Sequence, residues 1–247
     1  GGLVSFGGNI NGGDSTNTTG VESIAGILPD DDGNGISDLL EGGIKKLVGF
    51  HGDPEYGSTN SIAALKDDGS VVAWGYKEQG GDPTGKASPS ASIKTLSDAN
   101  NDYVADELSS NVIDLYYSIF AFCAHKSDGR LVTWGDQTRG GDILGETSPG
   151  ANIKTLADSN SNGQADLLEG GVKRVEGNVY GFAALRSDNS VVTWGDSDWG
   201  GGSSLNNGVS VIYSNNYAFA ELKTDGSLVT WGETLIMEET LQVLIFK

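Results

Sequence analysis

The chain has 247 residues, with 34 Asp and Glu against 15 Lys and Arg and a formal net charge of −19. A field of that sign repels nucleic acids and anionic membranes and attracts divalent cations, so it argues against nucleic-acid binding. No apolar run reaches the length of a membrane-spanning helix, and the single cysteine, Cys123, rules out an internal disulfide.

In chain order, the sequence opens Gly1-Gly2 without methionine or signal peptide, which reads as a processed or excised start. Residues 1–14 form a partial repeat: LVSFGG places Phe6 where later copies carry tryptophan, and the pair Gly12-Gly13 follows. The next unit, 15–82, contains DDDGNGISDLLE. Here Asp30, Asp32, Asn34, Gly35, Asp38 and Glu41 take positions 1, 3, 5, 6, 9 and 12 of a calcium-loop spacing. Ca²⁺ takes six to eight oxygens, and this loop offers the side chains of Asp30, Asp32 and Asn34, the carbonyl of Ile36 and a bidentate Glu41. Asp38 acts directly or through water, and Gly35 permits the turn. GFHGDPEYG follows as a loop found in this unit alone, with His51 as a minor site candidate. The unit closes with GSVVAWG and Gly80-Gly81.

Unit 83–142 carries a degraded loop, DANNDYVADELS. It keeps Asp98, Asn100, Asp102 and Asp106 but has Tyr103 for the glycine and Ser109 for the glutamate. Glu107 compensates only in a distorted loop. In the strand AFCAHK, Cys123 reads as a buried, inert thiol, and His125, which replaces the leucine of AALK, as a packing or rim residue. Unit 143–202 repeats the full loop as DSNSNGQADLLE: Asp158, Asn160, Asn162, the carbonyl of Gln164, Asp166 and Glu169. It has one carboxylate fewer than the first and is expected to bind more weakly. Trp199, in DSDWGG, lies outside the repeat frame; beside Tyr180 or Tyr217 it suits carbohydrate or protein contact, or simply repeat packing. The last unit, 203–247, lacks the insert. It ends in ETLIMEETLQVLIFK, whose Leu241, Val243, Ile245 and Phe246 read as an apolar strand with no partner in its own repeat, a template for joining another chain.

Trp74, Trp134 and Trp194 recur at intervals of 60 residues and Trp231 after 37. The difference is an insert of about 23 residues that contains the acidic loop. The underlying unit is all β. Two short apolar runs flank Asp-Gly or Asp-Asn, which tolerate positive φ, so Phe182–Leu185 and Val191–Trp194 are expected to pair as a hairpin. Trp-Gly ends the second strand, Gly-Gly reverses the chain, and a third strand such as GVSVIYS leads to the next hairpin. Periods of this size belong to stacked or radial arrays.

The pattern A-A-L-K-x-D-G-S-V-V-x-W-G, followed by G-G and G-V-K-x-I/V, resembles the regulator-of-chromosome-condensation repeat family and the related bacterial beta-lactamase inhibitor propeller. The inserts resemble the D-x-D-x-D-G loops of thrombospondin type 3 repeats. The first resemblance implies a β-propeller and the second implies structural calcium rather than a sensor. Two departures stand out: five repeats are visible where that family closes with seven blades, and no glycine pair follows Trp231. The array is therefore open, five-bladed, or completed by another chain.

The expected protein is a non-enzymatic, calcium-stabilised structural or adhesive repeat protein, extracellular or at a bacterial cell surface. It holds two Ca²⁺, with a third in the middle loop, and its partners are itself, in an oligomer or filament, or another surface protein or glycan. Nucleic acid and membrane insertion are not expected. The alternative is a soluble secreted binding propeller, a protein inhibitor or lectin-like, using the insert-bearing face. No G-x-S-x-G, H-E-x-x-H or phosphate loop is present.

Overall fold

The computed structural model describes residues 28–33, 36–49, 61–85, 92–145, 153–169, 171–201 and 207–232. The first partial repeat with Phe6, the residues Asn34, Gly35 and His51, and the tail strand with Leu241, Val243, Ile245 and Phe246 all lie outside these. Among the described residues the chain forms four small antiparallel sheets and no α-helix.

Each sheet is built around the hairpin read from the sequence. In the first, β1 (Ile44–Gly49), β2 (Ser61–Lys66) and β3 (Val71–Gly75) lie side by side. The second has β5 (Val112–Tyr117), β6 (Ala121–Lys126) and β7 (Leu131–Asp136), with a two-residue strand β4 (Ile93–Lys94) on the outer side of β7. The third repeats this as β9 (Val172–Gly177), β10 (Gly181–Arg186) and β11 (Val191–Asp196), edged by β8 (Ile153–Lys154). The fourth has β12 (Val209–Ser214), β13 (Ala218–Lys223) and β14 (Leu228–Gly232). Phe182 pairs with Trp194 and Leu185 with Val191, the register expected from the sequence. The hairpin turns place Gly69, Gly129, Asn189 and Gly226 at positive φ, with Asn189 at 65°. Asp188 steadies that turn by accepting from the backbone N–H and hydroxyl of Ser190 at 3.0 and 2.6 Å.

The sheets stack face against face. Their first strands, β1, β5, β9 and β12, touch in succession along one side and form a common inner edge. This is a propeller-like array of blades. Each first strand pairs with its neighbour through a bulge after its opening residue, at Lys45, Ile113, Lys173 and Ser210, and all four bulged residues are exposed. Such bulges increase local twist at the crowded inner edge.

Both faces of the middle sheets are apolar because both are covered. On the second sheet, Phe122, Ala124 and Trp134 join a core with Val48, Ala63, Leu65, Val71 and Ala73 of the first sheet. Ala121, Cys123 and Leu131 point the other way, into a core with Val175, Phe182, Val192 and Trp194 of the third. Period-two alternation therefore alternates between two interfaces rather than between core and solvent.

The tryptophan and the glycine pair form one joint. Trp134 donates its indole N–H to the carbonyl of Gly80 at 3.0 Å, Trp194 to Gly140 at 3.2 Å and Trp231 to Gly200 at 3.2 Å. Each bond crosses from one repeat to the next. A Cβ on Gly140, which sits at φ 94°, falls 2.6 Å from Cδ2 of Phe182, the ring stacked on Trp194. Glycine is needed there so that the neighbouring aromatic pair can approach the backbone.

Candidate metal loops between the blades

The inserts run from the outer edge of a sheet to its inner edge. In the second sheet the chain leaves β4, passes through the acidic loop and enters β5. Each loop ends in one 3₁₀ turn, Asp38–Leu40, Asp106–Leu108 or Asp166–Leu168, instead of the paired helices of a calcium sensor. The last residue of each turn, Leu40, Leu108 and Leu168, is fully buried. Leu40 packs with Val72 and Trp74, Leu108 with Val71 and Trp134, and Leu168 with Val192 and Trp194. Leu28 and Leu156 enter these cores from the leading side of the first and third loops. A repeat lysine adds a polar tie: Lys66 donates to the carbonyl of Leu39 at 3.0 Å, and Lys126 to that of Glu107 at 2.5 Å. In the third sheet Arg186 occupies that position and bonds Ser190 and Asp188 instead.

The third loop folds around its own oxygens. Asp158 accepts from the N–H groups of Asn162 and Gly163 at 3.1 and 2.8 Å, and Asn162 from that of Gln164 at 2.8 Å. Asp166 reaches back to the N–H of Ser159 at 3.0 Å. The side-chain amides of Asn160 and Asn162 both donate to Oε1 of Glu169 at 2.8 Å, so positions 3, 5 and 12 converge on one oxygen. The first loop shares the closing bond, Asp31 N–H to Asp38 at 3.0 Å. Carboxylate oxygens of its Asp30, Asp32 and Asp38 lie within 4.8 Å of one another. Ile36 and Glu41 are also described, with Glu41 directly after the turn. All donors are hard oxygens, the set that suits Ca²⁺ rather than a soft metal.

The middle loop has the same frame. Asp98 accepts from Asp102 and Tyr103 at 3.2 and 3.1 Å, Asp102 from Val104 at 2.9 Å, and Asp106 from Ala99 at 3.2 Å. The backbone keeps its course because Tyr103 takes the left-handed conformation, φ 69°, that Gly163 takes at φ 79° in the third loop. Asn101 is left-handed too, at φ 61°, as Ser161 is in the third loop at φ 58°, so the strain added by losing the glycine sits at Tyr103. Left-handed φ costs a side-chain-bearing residue roughly 1–2 kcal/mol. Tyr103→Gly is expected to raise stability by about 1 kcal/mol after glycine's own entropy is counted. Urea unfolding checks this, and a loss of stability would mean that the tyrosine ring contributes more than its backbone costs.

Other sequence candidates settle differently. Cys123 is buried, and burial pushes its thiol far up, which keeps it protonated and unreactive. His125 is buried beside Leu131 and Asp114, and burial holds its imidazole below the ordinary value against the opposing pull of Asp114 and Asp128. A depressed native pKa means that the unfolded chain binds the proton more readily. Stability is then full above the unfolded value of about 6.5 and falls as pH drops through it. Thermal melts at pH 7.5 and 5.5 should show a larger acid loss in the native chain than in His125→Leu; equal losses would contradict this.

Trp199 stacks on Tyr180 with ring centres 4.2 Å apart and lies near Tyr217 at 5.8 Å in a tilted contact, and it stays partly exposed. Arg139 extends the row, its guanidinium 4.1 Å from Phe120 and 5.8 Å from Tyr180. This ladder joins residues of three blades at one end of the array. Along the inner edge runs an open cleft of about 750 Å³ lined by Lys46, Asp114, Tyr116, Arg174, Glu176 and Asn215, among others. Four of its charged residues form pairs, Lys46 with Asp114 and Arg174 with Glu176, each at 2.5 Å, and Lys173 donates to Oδ1 of Asn189 at 2.7 Å.

No protein-family model matches the chain, and no curated protein matches it by sequence. Among solved structures it is similar to human WBSCR16 at 19% identity and TM-score 0.41, over 70% of this chain and 45% of that one. It is similar to Prp20p from Saccharomyces cerevisiae, a protein with binding properties to Gsp1p and histones, at 19% identity and TM-score 0.44, over 70% of this chain and 42% of that one. A third is the CRINKLY WD40 ectodomain of the Arabidopsis thaliana receptor kinase ACR4, at 16% identity and TM-score 0.34, over 80% and 69%. The chain thus spans less than half the length of the first two, and the superpositions are too loose to transfer any residue's role.

Proposed function

We propose that this protein is a non-enzymatic, calcium-braced structural or adhesive module that works outside the cell or at a bacterial cell surface. Its task is to present a rigid blade array to its own copies or to another surface protein or glycan. The supporting observation is the double role of the inserts: the second and third acidic loops fold around their oxygens, and all three inserts bury the terminal leucine of their turn in a core of the array. Ca²⁺ held by Asp30, Asp32, Asn34, Ile36, Asp38 and Glu41, and by the matching groups from Asp158 to Glu169, supplies the positive charge that these clustered carboxylates lack. Asp98, Asn100, Asp102 and Asp106 form a weaker third site, because Ser109 stands where the others have glutamate. Extracellular millimolar Ca²⁺ suits sites of this kind. Isothermal titration of the metal-free chain with Ca²⁺ is expected to show two sites and a weaker third. No binding at millimolar Ca²⁺ would sink the proposal.

The second reading, a binding propeller that uses its insert-bearing face, draws on Tyr103 and Leu167, large side chains exposed on the inserts. It requires a stable monomer.

A further inference from the structure

Every junction between blades in this molecule is made in the same way. The trailing face of one sheet receives the leading face of the next: Ala63, Leu65 and Val71 meet Leu115, Phe122 and Trp134. Likewise Ala183, Leu185 and Val191 meet Ile212 and Phe219. The register identifies the corresponding residues at the two ends of the array. Leu47 stands opposite Ala64 as Leu115 stands opposite Ala124, so it is the leading-face residue of the first sheet. Leu228 stands opposite Leu222 as Val191 stands opposite Leu185, so it is the trailing-face residue of the last.

At these two positions the array is unfinished among the described residues. Leu115, Val175 and Ile212 are 1%, 1% and 0% exposed, whereas Leu47 is 46% exposed. Val71, Leu131 and Val191 are 0%, 4% and 2% exposed, whereas Leu228 is 64% exposed. The neighbours agree: Ile62 is only half-buried where Phe122, Phe182 and Phe219 are buried, and Thr230 is exposed where Ala73, Thr133 and Thr193 are buried. The outer half of the leading face, with Ala64, Val72 and Trp74, is covered together with Leu28 and Leu40, which leaves its inner half open.

We propose that a second copy of this chain docks head-to-tail, the trailing face of its fourth sheet against the inner leading face of the first sheet, as a further blade junction of the kind the chain already makes three times. The argument for this occupant is continuity with an interface whose two halves the molecule carries at opposite ends. Contacts of this heterologous type leave one end open on each copy and lead to a ring or a filament. The proposal names the surface for the self-association included in the functional reading above. The net charge of −19 opposes it, so association is expected at physiological salt, where the screening length is about 8 Å, and is weaker at low salt.

The test is light scattering of the full chain with Ca²⁺ at physiological salt, over a concentration series. Native protein is expected to associate, while Leu47→Asp and Leu228→Asp are each expected to be monomeric. Because both side chains are exposed, the variants should melt like the native chain at dilutions where it too is monomeric, and Leu228→Lys repeats the test with the opposite charge. An equimolar mixture of the two aspartate variants is expected to form a one-to-one complex, since it restores one intact junction. A monomeric native chain, association that survives the substitutions, or a mixture that stays monomeric would each overturn the proposal. Calcium titration of the same variants reads the inserts separately, so failure of docking and failure of the calcium reading are distinguishable.

Discussion

Replacing Trp194 with alanine is expected to remove about 3–5 kcal/mol of stability, which is a large share of the roughly 5–15 kcal/mol that holds a typical domain together. The indole is fully buried, stacked on Phe182 at 5.4 Å and bonded to the carbonyl of Gly140 in the preceding repeat. Its loss opens a cavity between two blades and leaves that carbonyl without its indole donor. Trp194→Phe keeps most of the apolar volume and gives up the hydrogen bond, so it should cost less, about 1–3 kcal/mol. Gly140→Ala attacks the same joint from the other side, because its Cβ meets Phe182 at 2.6 Å in a backbone conformation that L-residues avoid. Urea unfolding followed by circular dichroism ranks the three. A Trp194→Ala variant as stable as the native chain would mean that the blades do not depend on this joint.

Withdrawal of calcium is expected to have an effect of similar size. The first loop gathers Asp30, Asp32, Asp38 and Glu41, and the third gathers Asp158, Asp166 and Glu169, so without a cation each is a cluster of mutual repulsion. A metal that binds only the folded loop adds stability as RT ln(1 + [Ca²⁺]/Kd), about 2.7 kcal/mol for a site at one hundred times its Kd. Two such sites contribute about 5 kcal/mol, spread over loops whose leucines reach the cores of neighbouring sheets. The melting temperature should therefore fall on chelation and recover when Ca²⁺ is restored. The double variant Asp158→Asn, Glu169→Gln should lose about half of that response. An equal response in native and variant chains would place the effect outside the third loop.

Much of this architecture was legible in the sequence because its signals are local. Asp-Gly and Asp-Asn between short apolar runs specify the hairpins, and the recurrence of Trp-Gly and Gly-Gly sets the blade frame. The acidic loop was legible because its ligand spacing lies within twelve residues. Signals that join distant residues were not legible. The insert also supplies the outer strand of the second and third sheets, but β4 and β8 have two residues each, too few for any periodicity. Nothing in the sequence marks the bulge at Lys45, Ile113, Lys173 and Ser210, where side-chain types differ at a common backbone feature. The sequence set Trp199 beside Tyr180 or Tyr217, but the extension of that row to Arg139 and Phe120 exists only once the repeats are stacked. Tyr103 shows the opposite limit: the sequence marks a degraded loop where tyrosine replaces glycine, yet the backbone keeps the course of the third loop.

The fourth sheet shows why the insert matters. It has no acidic loop, and Val229, whose counterparts Val72 and Val192 are buried, is 39% exposed. Glu221 occupies the position held by Ala64, Ala124 and Ala184, with Lys223 at 3.0 Å. Lys223 in turn donates to the carbonyl of Asn207 at 2.7 Å, as Lys66 and Lys126 do to the carbonyls of their loops. The lysine tie is thus kept where the leucine-tipped insert is missing.

The central claim, that calcium-filled inserts hold neighbouring blades together, is tested most directly by amide hydrogen exchange over residues 153–169 in millimolar Ca²⁺ and in chelator. In Ca²⁺ the N–H groups of Ser159, Asn162, Gly163 and Gln164 should be protected by the loop bonds, and Leu168 with them. In chelator their protection should collapse, and that of Val192 and Trp194 in the adjoining core should weaken. Equal protection of these amides in both conditions would contradict the claim.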